Sequence, residues 1–487
     1  MADQAEALTT IFTEFYYWVT VALMFLIHVG FMMYEGGVAR RKNVQHTILK
    51  NLLVIPLVTI TFFLFGWWIY FAFTNGPGIT GGLRASDSSS FLPWSDISGP
   101  NMQDRINGVF WAAFLLFSWT AASIISGSII ERARIAGFAA IAVVMGSVAW
   151  IIDASWGWHP EGWMVQVMGY HDAYASGVIH AVAGGGALAA VIVMGPRIGK
   201  FARDGTPRVI RPHNVWMTAV GIFMIITGFW GFYVACNIPI IDIDPSDDGT
   251  FFSATNIYLM PTTLSAITFN FLVSLAGGLL AGALISRGDL FWTFSGGLAG
   301  IIAASAGNDL YHPLQAFPIA MVGVVIAYKL HNYVERRFKI DDVVGAVAVH
   351  GYAGFFGVVV AGFMLWGYPA AAPTEEGLAW FTTPEGNPAI NPLGNFLGAI
   401  IMFLLGFIPI FVVAKVLDKF GLMRVPRAVE AAGLDAHDVG DNYPYFGDRD
   451  TEFEVVERAD AVGAFNGHGN GRATAAAAQS LAEKETT

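Results

Sequence analysis

The chain has 487 residues, 55% of them hydrophobic and only 13% charged, a balance that excludes an ordinary soluble domain and a disordered chain and points to a polytopic protein of the lipid bilayer. Its net charge of −11 comes largely from residues 420–487, which hold 12 acids against 6 bases, and no basic patch is present, which excludes nucleic acid as a partner. A single cysteine, Cys236, excludes an intrachain disulfide.

The first ten residues, MADQAEALTT, lack the basic segment of a cleavable signal, so the first apolar run reads as a retained span. Runs suited to the ~20 apolar residues of a transmembrane helix fall near 9–34, 48–74, 107–130, 135–156, 173–195, 214–236, 260–285, 290–306, 314–333, 344–366 and 393–417. The eighth is short and rich in glycine. An all-α membrane protein of eleven spans has its termini on opposite sides, and short cytoplasmic loops retain Lys and Arg. With the N-terminus outside, twenty of the 26 basic residues fall on the cytoplasmic side, among them Arg40, Arg41, Lys42 and Lys50 after span one. Only Arg84 and Arg105 fall in outer loops, where Asp242, Asp244, Asp247 and Asp248 also lie. The C-terminus is then cytoplasmic. Residues 1–418 form the transmembrane unit, 419–450 a polar cytoplasmic segment, and 451–487 a low-complexity tail expected to be disordered.

Span five opens with DAYASGVIHAVAGGG, Asp172 to Gly186, and span ten repeats it as DVVGAVAVHGYAG, Asp342 to Gly354. Both fit D-x7-H-x2-A-G, with His180 and His350 in the same place. The charge count starts span five at the outer surface and span ten at the inner one, so the copies are inverted. Spans one to five and six to ten then form a five-plus-five inverted repeat with span eleven added, and such repeats place their site at their mutual interface. Eight residues carry each histidine roughly 12 Å inward from its own side, which brings the two imidazoles to similar depth in a core ~30 Å thick. An ionisable group at that depth is expensive and marks a pathway or relay. A lone intramembrane histidine is more often a satisfied core residue, and His28 is read that way. Bis-histidine haem ligation needs a similar pair, but the flanking Ala and Gly suit a narrow pore better than a bulky macrocycle.

The segments YEGGVARRKNV (34–44), SGSIIERARI (126–135), GPRIGKF (195–201), RPHN (211–214), GFWGF (228–232) and DDVVGAVAVHG (341–351), in this order and spacing, resemble the Amt/MEP/Rh ammonium transporter family from about residue 30 to 447. The resemblance implies a homotrimer of eleven-span protomers in the cell membrane, each with its own pore for ammonium or ammonia, with methylammonium as analogue. It implies no enzyme activity, cofactor or metal. By position, Asp172 is similar to the family's outer recruitment acid, His180 and His350 to its twin histidines, and Phe117 and Phe232 to the two stacked rings of its gate. Trp156 looks like the aromatic facing the entering cation, with Trp158 and Trp163 as alternatives because WGWHPEGW carries an insertion. Cys236, four residues after Phe232, stands where many members place a serine that helps hold the cation; the alternative is a small buried hydrophobe. The tail RVPRAVEAAGLDAHDVGDNYPY (424–445) resembles the family region that couples to PII-type signalling proteins. Two functions remain open: a channel or transporter, and an ammonium sensor signalling through that tail.

Overall fold

The computed structural model describes residues 2–75, 92–95, 107–239 and 252–438. Arg84, Arg105, Asp242, Asp244, Asp247, Asp248 and the tail after 438 lie outside the described residues.

The apolar runs become helices with boundaries close to those read from the sequence. In chain order they are α1 (Ala2–Val38), α2 (Arg41–Ala72), α3 (Asn107–Ser128), α4 (Ile135–Gly157), α5 (Ser176–Met194), α6 (Val215–Ala235), α7 (Leu264–Ile285), α8 (Leu290–Ser305), α9 (Pro313–Phe338), α10 (Val347–Met364) and α11 (Pro392–Lys419). Ten of these are long and apolar enough to cross a membrane; α8, with 16 residues, is the shorter one. Their outer faces carry bare apolar side chains such as Leu314 and Trp216, the surface that hydrocarbon requires. Several helices are stopped and started by side chains that satisfy free backbone amides. Asn214 accepts from the Met217 amide ahead of α6, Asp289 from Trp292 ahead of α8, and Asn391 from Gly394 ahead of α11. Non-helical pieces are few: β1 (Asn237–Pro239), β2 (Ala254–Asn256) and β3 (Pro261–Thr262) make a small antiparallel sheet that the apolar pattern gave no sign of.

Loops distant in sequence gather at two ends. At one end, Trp163 donates its amide to the Thr74 carbonyl, Gln166 donates to the Ala372 carbonyl, and His171 meets Asp309 at 3.2 Å. At the other, Arg40 and Arg197 converge on Glu131, and Arg197 also binds Asp341. The short α8 bridges the two ends: its first turn puts Trp292 against His331, and its last leaves Ser305 and Ala306 carbonyls accepting from Tyr174 and Ala173. α9 likewise begins just after Asp309, near His171, and ends with His331 beside Asp342. Asp172 and Asp342 therefore lie at opposite ends of the helix bundle.

The segment 424–438 is packed onto the Glu131 end. Glu430 accepts from the Ile198 amide and pairs with Arg424, Asp435 accepts from the His46 and Gln45 amides, and the Leu434 amide donates to Asn43. Lys50, read from charge alone as a loop residue, instead lies inside α2. It is fully buried 3.5 Å from Glu35, and this pairing is what permits a cation among the helices.

Candidate functional site

Asp172 does not sit in the helix it serves. The chain passes it, turns through Ala175 at φ 71°, and only then enters α5, whose first turn, Ser176–Ala181, is a π-helix. Asp172 Oδ2 reaches forward to accept the Gly177 and Val178 amides at 2.7 and 2.8 Å, and Asp342 does the same for Ala346 and Val347 at 2.9 Å each. Each acid thus ties off the start of a helix that carries a histidine in its first turns, and α10 also opens with a π-helix, Val347–Tyr352. The spacing argument counted regular helix from the acid, which these turns do not follow. The histidines nonetheless meet, because α5 and α10 cross at Gly184 and Gly351: a Cβ on Gly184 would lie 2.2 Å from the Gly351 Cα.

His180 Nδ1 and His350 Nδ1 are 3.0 Å apart, with ring centroids at 5.1 Å and 28° between planes. One nitrogen must donate and the other accept, so the two rings hold different tautomers. His180 is fully buried and its Nε2 has no partner among the described residues. The Phe229 ring stacks on His180 at 5.7 Å, and Phe232 stacks on both at 4.8 Å from Phe229 and 5.8 Å from His180.

Phe117 and Phe232 are in contact, with centroids 4.8 Å apart, but their planes meet at 85°. They are packed edge to face, which suits the ring quadrupoles better than a face-to-face sandwich, and the expected stacked pair is corrected accordingly. Both are completely buried. Phe114, Trp150 and Trp158 also pack on Phe117, Trp158 nearest of the three at 5.1 Å, and the Trp158 Nε1 donates to the Asp172 carbonyl at 2.7 Å. Trp156 instead meets Trp163 edge to face at 5.7 Å, so of the three tryptophans Trp158 is the one in ring contact with Phe117.

Asp172 is fully buried, and Tyr258, a residue the sequence pattern did not single out, holds it: the Tyr258 hydroxyl accepts the Asp172 amide and donates to the Gly157 carbonyl. Burial pushes the Asp172 carboxyl up to about 6, with the Val178 and Gly177 amides opposing the rise. Its Oδ1 has no partner among the described residues. Cys236 caps α6, is fully buried, and gives its thiol to the Phe232 carbonyl at 3.3 Å. Burial, and then the charge of Asp172, pushes that thiol well above its ordinary range, so it is present as the neutral S–H.

At the opposite end, residues of the segments SGSIIERARI, GPRIGKF and DDVVGAVAVHG form a charged hub. Arg197 pairs with Asp341 through Nε at 2.8 Å and with Glu131 at 3.1 Å, and Arg132 donates to the Asp341 carbonyl. Burial alone would raise the Glu131 carboxyl, but Arg197 and Arg40 override it and hold it below the usual range. The hub joins the loops α1–α2, α3–α4, α5–α6 and α9–α10.

Read as a path, this arrangement offers an aromatic and a buried acid, a closed phenylalanine pair, and a histidine couple with an open nitrogen.

Residues 15–443 match the Ammonium Transporter Family. Among similar curated proteins are the ammonium transporter Amt1 of Methanocaldococcus jannaschii, 28% identical and covering 86% of this chain and 94% of that protein, and ammonium transporter 1 member 3 of Solanum lycopersicum, 27% identical over 91% and 94%. Among solved structures, a sensor Amt protein aligns with a TM-score of 0.71 at 24% identity, covering 89% of this chain and 99% of that one. Candida albicans Mep2 aligns at 0.64 and 18% identity, covering 85% and 86%. Both share the fold.

Proposed function

This chain belongs to the ammonium transporter family, and we propose that it carries ammonium across the cell membrane as ammonia, with its proton moving separately through the histidine pair. The observation that carries the reading is the 3.0 Å contact between His180 and His350 beside Phe232, reached from Asp-headed segments at opposite ends of the bundle. With the shared proton on His180 Nδ1, the bare Nε2 of His180 accepts a proton from the gate side while His350 carries its own on Nε2.

The five-plus-five inverted repeat of α1–α5 and α6–α10, with α11 added as the eleventh span, is the simplest account of two such segments facing each other. Asp172, Trp158 and Phe117 are the outer recruitment group in this reading, with Asp172 supplying negative potential and Trp158 an aromatic face worth roughly 0.5–2 kcal/mol to a cation. Trp158 replaces Trp156 in this role because of its contact with Phe117. Cys236 shapes the gate through the Phe232 carbonyl rather than by offering a hydroxyl. The positive loops and the docked 424–438 segment share one end, which supports a cytoplasmic C-terminus and an outer N-terminus. A homotrimer and a PII-type partner at that face complete the reading.

The second function, a sensor, draws support from the same docking, since Glu430 and Asp435 tie the tail to loops that meet at the Glu131 hub. Reconstitution into liposomes, with ammonium-evoked current and internal pH recorded together, separates the two. Transport gives an ammonium-dependent signal above the passive leak; its absence from folded protein leaves the sensor.

A further inference from the structure

On the inner side of the histidine pair lies a cavity whose lining is apolar except at four residues: His350, Glu35, Tyr34 and Ser295. Glu35 is fully buried. Its Oε2 accepts from Asn51 at 2.9 Å and lies 3.5 Å from Lys50 Nζ, while Ser126 donates across both oxygens at 2.6 Å. Oε1 has only the Ser126 hydroxyl and faces the gap between Gly127 and Val344, two more residues of the cavity wall: a Cβ on Gly127 would meet Val344 Cγ2 at 2.5 Å and Oε1 at 3.2 Å. Ser295, 1% exposed, lines the same space beside Tyr34.

We propose that this cavity is an exit site for ammonium, in which Glu35 receives the cation as it forms and Lys50 keeps the hold weak. The proposal rests on the transport reading above. As a proton arrives on His180 Nε2, the shared proton moves from His180 Nδ1 to His350 Nδ1 and the His350 Nε2 proton passes to an ammonia molecule that has crossed the gate; each N–H bond that breaks is matched by one that forms, and both rings stay neutral in exchanged tautomers until they reset. The new cation then sits among aliphatic side chains, where an unpaired charge is costly. Glu35 Oε1, Ser295 Oγ and the Tyr34 hydroxyl offer acceptors for its N–H groups. A lone buried carboxylate would trap it, but Lys50 already shares the charge of Glu35, and conduction needs a site strong enough to enter and weak enough to leave.

The test is flux in proteoliposomes measured from each side, with trimer integrity checked by gel filtration. Two variants are used: Ser295→Ala, which strands no charge, and the double variant Glu35→Gln/Lys50→Met, which removes both. The site predicts that outer half-saturation stays within about 2-fold of wild type, while maximal flux falls roughly 10-fold in the double variant and several-fold in Ser295→Ala, with half-saturation from the inner side raised in both. Inner half-saturation and maximal flux unchanged in either intact variant, beside a conducting wild type, overturn the exit site alone. A wild type that does not conduct overturns the transport reading and the exit site with it.

Discussion

At His180, Nδ1 is committed to His350, whereas His28, also buried, packs against Trp119, Phe25 and Phe31 with no second histidine beside it among the described residues. Replacing His180 or His350 with Ala should lower ammonium flux or change its selectivity over potassium by about 10-fold or more, as loss of a proton carrier does. His28→Ala should leave both close to wild type, and equal small effects at all three positions would remove the relay. Asp172 gives a pH dependence whose sign follows from its raised carboxyl, at about 6. Protonation removes the recruiting charge, so uptake at fixed ammonium should fall as outer pH drops through about 6, and Asp172→Asn should be low and flat across that range. For folding the dependence runs the other way, since an acid with a raised value contributes stability at low pH that is lost as pH climbs through about 6. The two histidines were legible because their context repeats. Trp158 was one of three candidates, since sequence spacing does not tell how an insertion is absorbed, and Tyr258 left no pattern because it acts on the Asp172 backbone from another loop.

Among the elements, the close crossing of α5 and α10 decides whether the histidines touch. Gly184→Ala would place a methyl 2.2 Å from the Gly351 Cα, against backbone that cannot rotate away. Forced separation of packed helices costs on the order of 1–3 kcal/mol. The melting temperature should fall and flux should fall with it, since widening the crossing pulls Nδ1 from Nδ1; full flux at unchanged stability would show that the helices tolerate the separation. Helix existence and boundaries were readable from hydropathy because each span has to satisfy its own backbone in lipid. The π-turns at Ser176–Ala181 and Val347–Tyr352 were not, because a one-residue change in hydrogen-bond register leaves the apolar pattern intact. The same limit applies to Lys50: a charge count assigned it to a loop, and only the packing of Glu35 against it explains a lysine inside α2.

Over the whole molecule, the two ends have different tasks. One carries Asp172 and Trp158, proposed here as the recruitment group; the other gathers four loops on the Glu131 hub and anchors residues 424–438 to it. Deleting residues 459–487 should leave transport intact, whereas truncation after Lys419 removes Glu430 and Asp435 from their amide partners and should impair transport or its regulation. Loss of flux from the shorter deletion would show that transport depends on the distal tail itself. The measurement that bears most directly on the account is flux through the reconstituted wild-type protein under equal inward gradients of ammonium and potassium, with internal pH followed in the same vesicles. The account predicts an ammonium-dependent signal well above that of protein-free vesicles and none with potassium. Equal signals from the two cations, or an ammonium signal no greater than the passive leak, would contradict it.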